Sequence, residues 1–403
     1  MQRFRSSGGL PFLRGCSTMG DGSLPPRESA EAEPWTPSTP NGRWCGFGPY
    51  YAMFPVEFVR RAVGRFCPPG GTIIDPFCGR GTVPFVAQVS GRRGLGVDIN
   101  PVAWIFASVK VSPHRAVRGL LRRIEELLDA VEVHDRSPEN EFQSHAWSAD
   151  VLGFLNSARR NLDWRTNKLD RTLMAILLTH LHAKRGEGLS NQLRQSKAMA
   201  PEYSVRWWRS KGMEPPKLCV RTFLEKKLAW RYAKGIPSAS SPAQVYMGDA
   251  RKVLPGVRNF CADLILTSPP YCGVTNYSYD NWIRLWLLGG PSLPDQGHAS
   301  RYQNREQYAS LISEVLERTR RVAADNVTVY VRTDAREYST GVAVAALRRL
   351  WPDHALMCRF DKAPGATQTA LYGHDWHKAG EIDLLATAPR LGVPEGFKVL
   401  RAA

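Results

Sequence analysis

Three aspartates, Asp75, Asp98 and Asp249, each close a short apolar run, and a fourth run ends in Thr267-Ser268-Pro269-Pro270-Tyr271. The first aspartate opens the loop DPFCGRGT, Asp75 to Thr82, where Gly79 and Gly81 allow a sharp turn and close approach of backbone to a ligand. The spacing is not the GxGxxG of dinucleotide sites and has no Lys-Ser/Thr pair of a P-loop, which disfavours a phosphate cradle; a sulfonium amino acid fits better. Asp98 is placed to accept hydrogen bonds from a ribose diol, and Asp249 to meet an adenine amino group. A lone Asp after a strand is usually a helix cap or turn former. Three in succession, after three successive strands, favour a ligand site. The paired Pro269 and Pro270 fix two φ angles and remove two amide donors, leaving a rigid turn that presents carbonyl oxygens.

These residues require a framework of strands. Val56, Val59, Ala62 and Val63 after Pro55 read as a helix, stopped by Pro68, Pro69, Gly70 and Gly71. Thr72–Ile74 then reads as a strand, Val83–Val89 as a helix and Gly94–Val97 as a second strand ending at Asp98, the opening of a doubly wound parallel sheet. After about Val111 the alternation stops for some 130 residues, with amphipathic helices over Leu120–Leu128 and Arg171–Leu181. It resumes with strands at Gln244–Met247 and Asp263–Thr267, a helix over Gln307–Val322, a strand Val327–Val331, a helix Gly341–Leu350, and strands near Leu356–Phe360 and Ile382–Ala386. The expected fold is α/β, a seven-stranded sheet spanning residues 41–111 and 242–393, with a helical insertion over 112–241 and a disordered leader over 1–40.

Composition sets outer bounds. Of 403 residues, 43% are apolar and 23% charged, as in globular proteins, and the formal charge of +17 favours a polyanionic partner. Eight scattered cysteines form no CxxC pair or His/Cys cluster, so neither a metal site nor a disulfide framework is expected. The longest apolar stretch, near Leu173–Leu178, is too short to span a bilayer, and the N-terminus has no apolar signal core. A cytoplasmic protein without a membrane partner is the expectation.

DPFCGRGT, with DINP at Asp98–Pro101, GDA at Gly248–Ala250 and TSPPY at Thr267–Tyr271, resembles the motif set of the class I amino-methylating DNA methyltransferases. The segment Tyr50–Phe58 looks like the helix that closes over the methionine moiety in that family. The resemblance covers roughly residues 45–110 and 243–390. It implies a Rossmann-like methyltransferase sheet and S-adenosyl-L-methionine as cofactor, held by Pro55, Asp75, Phe77, Cys78, Gly79, Gly81, Thr82, Asp98, Ile99, Asp249 and Ala250. DNA is the implied partner, with a cognate restriction endonuclease as a candidate second one.

Ser268, Pro269, Pro270 and Tyr271 carry the expected catalysis. An aromatic amine has its lone pair delocalised into the ring and is a poor nucleophile. If Ser268 Oγ and the Pro269 carbonyl accept its two hydrogens, the nitrogen is drawn toward tetrahedral geometry and the lone pair turns to the methyl group. No covalent intermediate is needed, so Cys67, Cys78 and Cys272 read as packing residues. Tyr271 can stack on a base flipped out of the duplex. Ser268 stands where adenine enzymes of this family usually carry Asp or Asn, which points to cytosine N4, and Gly273–Trp282 resembles the extension of cytosine-N4 enzymes, with Tyr277 as a pocket wall.

Between Lys184 and Lys234, thirteen basic residues face four glutamates, interleaved with Tyr203, Trp207, Trp208, Trp230 and Tyr232. The expected DNA contacts are Asn191, Gln192, Arg194, Lys197, Arg206, Arg209, Lys211 and Tyr277. A helical cap with a basic exterior and its tryptophans in its own core is the plainer alternative. The family usually carries its recognition region after the third motif; here it precedes Asp249. Rival readings are a DNA adenine-N6 enzyme, a tRNA guanosine-N2 methyltransferase, for which Asp is usual at position 268, and a DNA-binding module with a decayed site. The recognition sequence and oligomeric state stay open.

Overall fold

The computed structural model describes residues 34–49, 54–184, 186–194, 198–273, 276–294, 304–361, 380–389 and 392–401. Its strands are β1 (Thr72–Asp75), β2 (Arg93–Asp98), β3 (Ala243–Met247), β4 (Ala262–Thr267), β5 (Ala323–Asp334), β6 (Ala355–Asp361), β7 (Glu381–Thr387) and β8 (Lys398–Val399). They form one sheet in the order β3-β2-β1-β4-β5-β7-β6-β8. The first five are parallel, and β7 runs antiparallel to both β5 and β6. The chain winds outward from β1 through β2 to β3, then returns to lay β4 on the other side of β1, so strand order reverses between β1 and β4. Open α/β sheets bind ligands outside the carboxyl ends of their strands at such a switch point. Asp75 and Thr267 end those two strands.

Successive residues of the central strands point to opposite faces. Ile74, Ile265, Val329 and Val331 face a core that includes Val315, Leu316, Leu347 and Trp351. Ile73, Leu264, Leu266 and Tyr330 face another built with Phe58, Val59 and Val63 of helix Val56–Phe66. Two glycines permit the tight wrapping around β2. A Cβ on Gly96 would lie 2.9 Å from Cys78 Sγ, and one on Gly81 would lie 2.5 Å from Ala107 Cβ. Gly81 also has a φ of 78° and caps helix Thr82–Val89, a backbone state that L side chains rarely adopt.

The segment expected as an insertion is helical, including Val117–Asp129, Ala149–Asn161, Lys168–His180, Pro201–Ser210 and Val220–Tyr232. Its core is not its own. Leu120, Phe154, Leu177, Trp208 and Leu228 share one buried cluster with Ile105 and Phe106 of helix Pro101–Val111 and with Trp282, Ile283 and Trp286. Helix Thr82–Val89 ties this cluster to the sheet, since Phe85 belongs to it while Val83 and Val86 pack beneath β1 and β4.

Two boundaries differ from the sequence expectation. The sheet has an eighth strand, β8, paired to β6, so it extends past residue 393. Residues 34–40 belong to the folded body: Trp35 packs edge-on against Phe85 at 5.9 Å, and Thr39 caps helix Pro40–Cys45. The reason is that a single tryptophan among prolines shows no periodicity. The remainder of the expected leader, residues 1–33, lies outside the described residues. Among the described residues no helix is long and apolar enough to cross a membrane, and no group of three or more His, Cys, Asp or Glu side chains could hold a metal ion.

Candidate active site

The loop after β1 is fixed by its own backbone. Cys78 N donates to Val97 O at 3.0 Å and Gly81 N to Cys78 O at 2.8 Å. Asp75 is buried beneath it, its Oδ1 accepting from Phe77 N at 3.1 Å and from Thr267 Oγ1 at 2.7 Å. The second bond joins the cofactor-type loop to the residue immediately before Ser268. Asp98 accepts from Gly79 N and from Asn100 N, both at 2.8 Å. Burial pushes the Asp75 carboxyl up to about 7 and that of Asp98 up to about 6. Among the described residues neither has a cationic partner.

Such a pair of carboxylates suits a cationic ligand rich in hydroxyl donors. The open side of the loop is at Gly79, whose φ is 50° and where a Cβ would meet nothing within 4 Å. Ile99, beside Asp98, leaves half its apolar surface exposed, a platform for a flat ring. A sulfonium, an ammonium and a ribose diol match these groups. Asp75 would face the cations and Asp98 the diol. Phe77, Cys78, Gly81 and Thr82 shape the loop itself, and Pro55 starts helix Val56–Phe66 with its carbonyl accepting from Val59 N at 3.2 Å. Tyr50–Met53, ahead of it, lie outside the described residues.

Asp249 has partners of its own. It caps the short helix Ala250–Val253 through Arg251 N at 2.9 Å, and Arg251 also binds both its oxygens, at 3.0 Å from Nε to Oδ1 and 2.7 Å from Nη2 to Oδ2. Those bonds hold its carboxyl below the ordinary range. Local capping and ion pairing thus account for Asp249, with Ala250 buried behind it.

Ser268 is half-buried at the end of β4, Pro269 and Pro270 are buried, and Tyr271 donates its hydroxyl to Glu381 Oε1 at 3.0 Å. Beyond the turn, Cys272 O accepts from Arg336 Nη2 at 2.7 Å. A cavity of about 790 Å³ opens there, lined by Cys272, Arg305, Arg336, Tyr338 and Ser339 among others. Burial pushes the thiols of Cys67, Cys78 and Cys272 up, that of Cys67 to about 12, which keeps them protonated and unfit as nucleophiles.

The expected DNA contacts divide. Asn191 is buried, donating from Nδ2 to His145 O at 3.3 Å and from its backbone to Ala146 O at 2.8 Å, so it pins two segments together and reads no base. Gln192, Arg194, Arg206, Arg209 and Lys211 are exposed, and Arg209 is paired with Glu141. Lys197 lies outside the described residues. Tyr203, Trp207 and Trp230 are 46%, 41% and 48% exposed, whereas Trp208 is fully buried with its Nε1 on Gln192 O at 3.2 Å. Tyr277 is half-buried against the helical core.

The DNA methylase family N6_N4_Mtase matches residues 26–104, which include the loop and Asp98. The motifs DPFCGRGT, DINP and TSPPY are similar to those of the amino-methylating DNA methyltransferases of class I. S-Adenosylmethionine is the cofactor of that family, and the carboxylate acceptors Asp75 and Asp98 fit it. The Type II methyltransferase M.Cfr9I of Citrobacter freundii is 39% identical over 54 residues, 13% of this chain and 18% of that protein. M.BsoBI of Geobacillus stearothermophilus is 22% identical over 275 residues, 60% of this chain and 52% of that protein. The chain therefore spans about half the length of its longer-matching curated relative. Among solved structures, the rRNA methyltransferase AviRa of Streptomyces viridochromogenes aligns at 14% identity over 87% of this chain and 91% of that chain, with a TM-score of 0.30. The fold assignment stands on strand order.

Sequence reading missed Thr267 as the link to Asp75 and missed Glu381 altogether. Thr267 lies within the quoted motif, but its partner is 192 positions away; Glu381 merely starts a strand.

Proposed function

We propose that the protein is a DNA methyltransferase that transfers a methyl group from S-adenosylmethionine to the exocyclic N4 of cytosine. The observation that carries this reading is the 2.7 Å bond between Thr267 and Asp75, which joins the cofactor-type loop to the amine-holding turn. The cofactor supplies an electrophilic methyl on a sulfonium sulfur. Ser268 Oγ and the Pro269 carbonyl accept the two amine hydrogens, which frees the nitrogen lone pair for attack. Pro269 and Pro270, buried and without amide hydrogens, keep that turn from rearranging. With the cofactor bound, the new N–C bond would form as the methyl–sulfur bond breaks, the electron pair staying on sulfur as a neutral thioether, and the methylated amine would give up one proton to water.

Ser268 stands where adenine enzymes of the resembling family usually carry Asp or Asn, which supports cytosine over adenine. The exposed basic face with Arg206, Lys211, Trp207 and Tyr203 supports a role for segment 112–241 in holding DNA, the arginines on phosphates and the aromatics against bases. The Type II names of the relatives suggest a partner endonuclease.

The test is incubation with unmethylated genomic DNA and labelled cofactor, followed by nucleoside analysis. N4-Methylcytosine at fixed flanking bases supports the reading. N6-Methyladenine would shift the assignment to the adenine enzymes, and label in RNA alone would remove DNA as the substrate.

A further inference from the structure

We propose that the cavity beside the TSPPY turn binds a backbone phosphate of the target strand, next to the nucleotide whose base is methylated. The proposal rests on the DNA methyltransferase reading and adds to it a site for the strand's charge.

Several donors converge on this cavity of about 790 Å³. Cys272, the first residue past Tyr271, forms part of its wall, so an occupant lies beside the turn proposed to hold the amine. Arg336 is fixed in that wall: Nε and Nη2 grip Asp334 at 3.0 and 2.9 Å, and Nη2 also donates to Cys272 O at 2.7 Å. Its Nη1 has no partner among the described residues. Arg305 lies 5.0 Å over the Tyr338 ring, and no carboxylate among the described residues pairs with it. The wall also takes in Glu337, Tyr338 and Ser339, the first turn of helix Glu337–Leu350, whose N-cap Arg336 offers no side-chain acceptor. Amides of a first turn have no partner within the helix and carry the positive end of its dipole. Ser339 is 1% exposed, and its Oγ has no hydrogen-bond partner, which leaves a buried hydroxyl in the wall with a hydrogen to give.

Guanidinium, amide and hydroxyl groups together call for an occupant made of acceptors. A phosphodiester is one, with two anionic oxygens that suit a guanidinium fork and a helix start. Glu337 opposes an anion, but its side chain is exposed and can turn to water, whereas Arg336 is held where it is. DNA brings such a group to this place, because a base turned out of the duplex swings about its own backbone and keeps its flanking phosphates at the mouth of the pocket. A phosphate held here fixes the strand's position without reading its sequence.

The test uses a synthetic duplex carrying the target site mapped by nucleoside analysis, with the phosphates around the target base replaced one at a time by uncharged methylphosphonates. In the wild type, one replacement beside the target base should weaken binding about tenfold, the scale of a hydrogen bond to a charged group. Arg305→Ala should weaken binding of the unmodified duplex by a similar factor, lower the slope of log affinity against log salt by about one, and leave the Kd for S-adenosylmethionine within about twofold. In Arg305→Ala the same replacement should cost less than about twofold, because losses from two groups in contact are non-additive. Losses that multiply at every phosphate, or an Arg305→Ala protein that binds DNA as the wild type does, overturn the site and leave the methyltransferase reading intact. Absence of DNA methylation by the wild-type protein removes that reading and the site with it. If Arg305→Ala does not fold, Arg305→Gln, which keeps a stem to cover Tyr338, goes through the same scan with the same criteria.

Discussion

Replacing Asp75 by asparagine should make the cofactor-free protein more stable at alkaline pH, not less. Asp75 is 1% exposed, accepts from Thr267 and Phe77, and has no cation beside it among the described residues. Burial raises its carboxyl from an ordinary 3.8 to about 7. The folded state thus binds that proton more tightly than the unfolded chain does. The resulting stabilisation is full below about pH 4 and is lost as pH rises through about 7. Roughly three pKa units at ~1.4 kcal/mol each set a ceiling of about 4 kcal/mol on the loss. Asp98, raised to about 6 by burial, adds a loss of the same sign over a lower window. Asparagine keeps the size of the side chain and an oxygen for Thr267, and it cannot ionise. Urea unfolding of the cofactor-free protein between pH 5 and 8.5 should show the wild type losing stability through pH 7, with Asp75→Asn nearly flat above pH 6.5. A cationic ligand reverses the balance, since it favours the ionised carboxylate; cofactor affinity of the wild type should climb over the same range, by at most about tenfold per pH unit for one proton released. A wild-type stability that is flat or rising between pH 6 and 8, or an asparagine variant with the same slope, would refute the assignment of Asp75 as an uncompensated buried acid.

Other outcomes follow from neighbouring features. Arg332→Met should destabilise the fold by about 3 kcal/mol in denaturant titrations, because it strips fully buried Asp383 of its bidentate partner; Arg359, 2.7 Å from the same carboxylate, tempers the loss. Gly81→Ala places a Cβ 2.5 Å from that of Ala107 at a φ of 78°. Calorimetry should register a cost of more than about 2 kcal/mol, and cofactor titration a weakened site. Arg206→Ala should weaken DNA binding evenly across sequences and reduce the slope of log affinity against log salt by about one, whereas Arg209, already paired with Glu141, should matter less.

Local strings carried most of the framework. Apolar runs followed by Asp75, Asp98 and the TSPPY turn were readable because a buried parallel strand and its turn are short, contiguous features. The order in which strands lie side by side is not contiguous, and neither are the contacts that tune the site. Tyr271 meets Glu381 across 110 positions and Thr267 meets Asp75 across 192. Asn191 misled for the same reason: beside Gln192 and Arg194 it reads as part of a polar, base-reading stretch, yet its amide is used up by His145 O inside the protein. Asp249 shows the converse: the string GDA suggests a ligand role, while the bonds it makes in the structure are to Arg251, two residues on.

The continuity of the helical segment with helix Pro101–Val111 restricts how this protein can be re-engineered. Trp147 stacks on Trp286 at 4.9 Å, and Arg171 lies over Trp104 at 4.5 Å, so the outer helices and the sheet's flank interlock side chain by side chain. Residues 112–241 therefore cannot be exchanged as a cassette between related enzymes. A transplant would have to bring the matching faces of helices Pro101–Val111 and Trp282–Leu287 with it, or leave tryptophan-sized voids in the shared core.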